Sequence, residues 1–182
     1  MLVRLHNSVF RSAERLFGPW LLGTLGRIVF AGVFLVYFLN SARTKLGDGV
    51  FGFLTLSDGA YVQILPLTFE AAGYDRAALS GLDVAIVAAG TYAEIVLPIL
   101  IVVGLFTRLA ALGMIGFIAV MTYVDIRGHT VDATTIGSWF DNVATSAIAD
   151  QRALWAYLLL TLVMTGPGPI SLDRFFTRRG HF

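Results

Sequence analysis

Apolar residues along this chain gather into four long runs separated by polar stretches. The first covers residues 19–39, "PWLLGTLGRIVFAGVFLVYFL", and only Arg27 interrupts it. The second covers 84–106, "VAIVAAGTYAEIVLPILIVVGLF", and carries Glu94 near its middle and Pro98 just beyond. The third, 109–124, has no charged residue until its edge. The fourth, 150–165, contains the short uncharged run "ALWAYLLLTLVMT". Crossing ~30 Å of hydrocarbon takes about 20 apolar residues in a helix. The pattern therefore predicts an all-α fold, an integral membrane four-helix bundle forming one domain over residues 1–182.

The flanks add detail. Leu2, Leu5, Val9, Ala13 and Leu16 recur at helical spacing, with Arg4, Arg11 and Arg15 between them. Residues 1–17 thus read as an amphipathic helix lying on the membrane surface. They do not read as a signal peptide, because Arg27 breaks the apolar region and no small-residue cleavage pattern follows. Residues 171–179 read as a second interfacial helix, with Ser171 as N-cap and Asp173 in the first turn. The connections 40–83 and 125–149 are long. The first is itself apolar, so it is expected to carry short elements that cap one mouth of the bundle.

Composition supports the membrane reading. Of 182 residues, 57% are hydrophobic and 14% charged, against about 25% charged in an ordinary soluble domain. A net charge of +1 offers no field for nucleic acid, so none is expected as a partner. The absence of cysteine excludes disulfides, thiol redox chemistry and cysteine-ligated iron–sulfur clusters. Haem held by two histidines is excluded too, since no histidine lies within the spans. Arginines crowd both ends and the tight connection at Arg108, while the long connections carry most of the acids. The positive-inside rule then places both termini in the cytoplasm and makes the long connections outer loops.

Glu94 is the main chemical signal. A charge at the bilayer centre costs about 2.5–3.5 kcal/mol on insertion scales, so Glu94 needs a proton, a cation or a wet cavity. Counting in from the cytoplasmic side, Arg27 lies roughly 12 Å deep and Glu94 roughly 18 Å deep at 1.5 Å per residue. Arg27 is therefore the expected partner. Together they define a polar pocket that can bind a head group such as a quinone ring, or pass protons. A bare ion pair fixing helix register accounts for the same residues. Lys45 and Asn40, just past the first span, and Asp125, just past the third, form a second set that can close the outer mouth by a Lys45–Asp125 pair. Tyr92 is a further candidate for the pocket, with Tyr37, Tyr123 and Tyr157 as aromatic alternatives. Asp125, His129 and Asp132 are close enough in sequence to consider as metal ligands, but a solvated loop explains them better and no metal is expected. His6 and His181 stand at the two ends.

These residues resemble the DoxX family of small four-helix bacterial membrane proteins. The resemblance is carried by "GRIVFAGVFLVYFLNSARTKLGDG", "YAEIVLPILIVVGLFTRLAAL" and "GPGPISLD". It matches Arg27 and Lys45 to a basic pair at the two ends of the first helix, and Glu94 to an acid in the second. It implies a bacterial inner-membrane subunit linked to redox chemistry. Some members belong to thiosulfate:quinone oxidoreductases and others work with soluble redox enzymes. On that basis the expected function is a quinone-linked oxidoreductase subunit, with quinone as the possible cofactor and other subunits of a membrane redox complex as partners. A non-catalytic accessory or anchoring subunit is the alternative.

Overall fold

The computed structural model describes residues 1–179 and is helical throughout its main elements, with a single isolated bridge between Leu46 and Leu56. Helix α1 (Leu2–Phe30) continues through a π-helical turn (Ala31–Leu35) into α2 (Val36–Arg43). The amphipathic N-terminal repeat is thus helical, but it is continuous with the apolar span. A proline removes one backbone donor and does not end a helix whose flanks both propagate.

The connection 44–80 carries α3 (Asp58–Ile64) and α4 (Pro66–Ala71), with single 3₁₀ turns at Gly52–Leu54 and Arg76–Ala78. It has its own small core of Ala60, Tyr61 and Phe69 packed on Val87. Arg76 ties the segment together, donating to Asp58 and to the Leu56 carbonyl and lying 5.4 Å from the Tyr61 ring centre. Helix α5 (Gly81–Val103) opens with a capping box in which Ser80 and Asp83 exchange hydrogen bonds. It runs unbroken through Pro98.

Helix α5 stops at Gly104, whose φ of 73° is the left-handed conformation glycine adopts without strain. The backbone N–H of Leu105 then bonds the Leu100 carbonyl at 3.0 Å, closing a Schellman turn. Helix α6 (Thr107–Tyr123) runs back and passes into a second π-helical turn (Val124–Gly128). The connection that follows contains the single turn α7 (Ala133–Ile136). Helix α8 (Ala149–Thr165) comes next, and α9 (Leu172–Arg179) closes the described chain.

Three of these helices are long and apolar enough to cross a membrane: Trp20–Arg43, Gly81–Val103 and Thr107–Gly128. Helix α8, with 17 residues, spans roughly 25 Å at 1.5 Å per residue. It packs against α1 and α6 all the same. One core joins the four elements: Phe30, Phe34 and Phe38 from the first, Ile101 from α5, Met114 and Ile118 from α6, Leu159 and Leu162 from α8. Most other large apolar side chains of the three long helices are exposed, Val33, Val96 and Val120 among them. A surface of that kind suits lipid.

Helix α1 closely approaches the turn after α8. A Cβ on Gly23 would lie 2.4 Å from the Gly166 carbonyl oxygen and 2.8 Å from the Gly168 nitrogen, both rigid backbone atoms. Gly23→Leu is expected to destabilise the protein by about 1–3 kcal/mol through overpacking. Thermal unfolding in detergent checks this, with Gly116→Leu as comparison, because nothing lies within 4 Å of a Cβ at Gly116.

Candidate functional site

Glu94 is buried, only 4% exposed, and its cation is Lys45, 3% exposed. The Lys45 ammonium donates to Glu94 Oε2 at 2.8 Å and Oε1 at 3.1 Å, and to Ser41 Oγ at 2.8 Å. The Ser41 carbonyl, 3.3 Å away, completes its surroundings. The expected Arg27–Glu94 pair does not form. Lys45 follows the end of α2, and its side chain turns back along Ser41 to reach the acid on α5. Depth counting missed this because it placed both residues by span boundaries and ignored the reach of a lysine stem.

Arg27 works at the other end of the bundle. Its Nε donates to the Ile101 carbonyl at 3.0 Å, which also accepts from the Gly104 N–H, and one Nη donates to the Val102 carbonyl at the end of α5. The other Nη donates to Pro167 at 3.0 Å and to Ile170. Asp173 completes this lock. Its carboxylate accepts from the Phe106 and Thr107 backbone N–H groups and the Thr107 hydroxyl, at 2.7, 3.0 and 3.0 Å, and so caps α6 from across the chain. The Asp173 N–H in turn donates to the Gly104 carbonyl. Ser171 accepts from the Arg174 N–H as the N-cap of α9.

A cavity of about 530 Å³ surrounds the Lys45–Glu94 pair. Tyr37 and Ser41 line it from α2, Ala93 and Leu97 from α5, and Phe117 and Met121 from α6. Gln63 and Ile64 of α3 close it on the loop side, where His129 Nε2 donates to the Gln63 carbonyl at 3.2 Å. Between α5 and α6 the wall is made by Ala89, Gly113 and Gly116, all small and all exposed. Small exposed residues thus line the cavity on its α5–α6 side, next to the apolar surface that suits lipid.

A second ion pair lines the cavity. Arg152 of α8 donates to Asp125 and, at 2.8 Å, to the Thr122 hydroxyl. Its Nε is buried without a partner among the described residues. Asp125 therefore pairs with Arg152, and the expected Lys45–Asp125 pair is replaced by two separate ones. The π-helical turn at Val124–Gly128 carries Asp125. Such turns insert one residue and so re-aim the side chains after them. Arg152 went unnoticed as a site residue because, at the very start of the fourth run, it reads as a flanking charge. Its signal was helical spacing: Arg152, Trp155, Leu159 and Leu162 share one face, and that face is the packed one.

The remaining candidates lie elsewhere. Asn40 is exposed on α2 and does not line the cavity. The Tyr92 hydroxyl donates to the Phe53 carbonyl at 2.8 Å, holding the 47–56 segment against α5 on another face. Asp125, His129 and Asp132 do not converge, and no acidic–histidine group able to hold a metal occurs among the described residues. Asp132 caps α7; hydrogen bonds from Thr134 and Thr135 hold its carboxyl well below the usual carboxylate range. His181 lies outside the described residues.

The fold and this cavity define a class: an all-helical protein with three helices able to span a membrane and an ion-paired cavity next to their apolar surface. Compared with protein-family models, with curated proteins and with solved structures, the chain shows no significant match.

Removing one partner of a buried pair leaves the other uncompensated, at a cost of about 3–5 kcal/mol. Lys45→Met is therefore expected to destabilise strongly, and the double change Lys45→Met with Glu94→Leu to recover most of the loss. Arg27→Gln combined with Glu94→Leu should instead show additive losses. Thermal unfolding of the single and double variants in detergent measures both couplings.

Proposed function

We propose that this chain is a DoxX-like integral membrane protein, a four-helix bundle in a bacterial inner membrane, and a quinone-linked subunit of a membrane oxidoreductase. The observation that carries this reading is a polar, twice ion-paired cavity lined on its α5–α6 side by small exposed residues. A lipid-soluble molecule with a polar ring reaches such a cavity without entering water. A soluble substrate would need an aqueous mouth.

Within this reading the chain's residues have distinct tasks. The Lys45 ammonium and the Arg152 guanidinium, whose Nε has no protein partner, are donors for the two carbonyl oxygens of a quinone ring. Glu94, released from Lys45, is the proton acceptor or donor for the ring hydroxyl. Leu97, Phe117 and Met121 pack on the ring face, and the isoprenoid tail leaves between α5 and α6. The chain has no cysteine and no histidine within its spans, so electrons pass to a partner subunit. The first and third connections then lie outside the membrane and both termini in the cytoplasm, in line with the arginine distribution.

One feature of the loop end favours the alternative, an accessory or anchoring subunit. Val50, Phe51, Phe53 and Leu54 are exposed together on the segment that Tyr92 holds. Such a patch suits contact with another membrane chain.

Binding of a quinone analogue to the purified protein separates the two readings. Glu94→Gln removes a charge-assisted contact and is expected to weaken binding by roughly tenfold or more. Gly116→Leu fills the α5–α6 side without a clash at its Cβ and should slow association with little change in stability. Unchanged analogue binding in both variants, with partner subunits still co-purifying, would leave the anchoring role in its place.

A further inference from the structure

A second cavity, about 500 Å³, lies at the end of the bundle that carries the α5–α6 turn. Its lining includes Trp20 of α1, Arg108 of α6, Thr165 at the end of α8, and Asp173, Arg174 and Thr177 of α9. It shares no residue with the Lys45–Glu94 cavity.

Its hydrogen-bonding capacity is uneven. The Arg108 and Arg174 guanidinium groups have no hydrogen-bond or ion-pair partner among the described residues. The one acid in the lining, Asp173, already accepts three donors at the start of α6. The Thr165 and Thr177 hydroxyls donate back to their own helices, to the Thr161 and Asp173 carbonyls. The nearby Pro167 and Ile170 carbonyls are taken by Arg27. What remains is a groove with two free forked cations and no competing free anion.

Arg108 is also placed, not merely present. Gly166, with φ of 77°, has no side chain, and a Cβ there would meet Arg108 Nε at 3.3 Å. The guanidinium therefore lies against the backbone of the turn after α8. Around the groove the surface turns apolar at once: Phe106, Leu109 and Leu112 are exposed beside Arg108, and Leu16 and Trp20 on α1. A Trp at the rim and apolar surface beyond it match the level where lipid head groups give way to acyl chains.

We propose that this groove binds the phosphate of an anionic phospholipid, gripped by Arg108 and Arg174, with its acyl chains lying on α1 and α6. Forked guanidinium groups suit phosphate oxygens, and basic recesses between membrane helices recognise anionic head groups on this principle. The inference does not rest on the quinone reading.

Native mass spectrometry of the full chain, released from detergent with equal phosphatidylglycerol and phosphatidylcholine, tests it. The expected result is selective retention of phosphatidylglycerol. Selectivity should fall about fivefold for Arg108→Gln and for Arg174→Gln, taking about 1 kcal/mol per arginine near the surface. The double change Arg108→Lys with Arg174→Lys should keep most of it. Arg43→Gln, at the opposite end, should keep all of it. Equal retention of both lipids, or loss of selectivity in Arg43→Gln alone, overturns the proposal. So does displacement of the lipid by millimolar inorganic phosphate, because the groove is then a site for a small free anion.

Discussion

An ionised carboxylate inside an apolar bundle must be matched by a cation, and here the match is Lys45 to Glu94. Much of the loop end follows from that bond. It requires α2 to end where the lysine can fold back past Ser41, and it brings the connection after α2 close to α5. The segment that follows is then pinned by Tyr92 and roofed by α3, so that a cavity remains instead of a filled core. A hydrophobic pair of the same volume would pack at least as well. Two ion pairs around one accessible cavity are therefore not accounted for by stability alone.

The opposite end solves a different problem with the same economy. Helices leave carbonyls unpaired at their C-termini and N–H groups unpaired at their N-termini, and a turn in or near lipid has little water to satisfy them. Arg27 serves the carbonyls of α5, and Asp173 serves the N–H groups of α6. Three separate stretches contribute to this lock: Arg27 from the first helix, the Gly104–Thr107 turn, and the glycine–proline turn with Asp173 after α8. Each piece completes the hydrogen bonds of another, which is a structural task.

The two ends therefore divide the labour. Arg27 and Asp173 hold the helices together where the chain turns tightly. Partly paired groups line a cavity where the connections are long. Arg27, the cation that looked most chemical, spends four of its five donors on backbone carbonyls. Arg152, near the start of the fourth run, pairs with Asp125 in the cavity wall, and its buried Nε has no partner among the described residues.

The helical class and the three long apolar spans were legible from residue order alone, because apolar run length and helical period are local properties. The placing of an acid, Glu94, deep in the second run was legible for the same reason, whereas the cap at Ser80 and the stop at Gly104 were not read, because the apolar run continues to Phe106. Which cation meets Glu94 was not legible. That depends on helix tilt, on where α2 ends, and on the reach of a side chain 49 positions away in the chain. The pairing of Asp125 with Arg152 depended on a π-helical turn that no spacing rule announces. Local order decides which groups are buried; only the packing of helices against one another decides which of those groups touch.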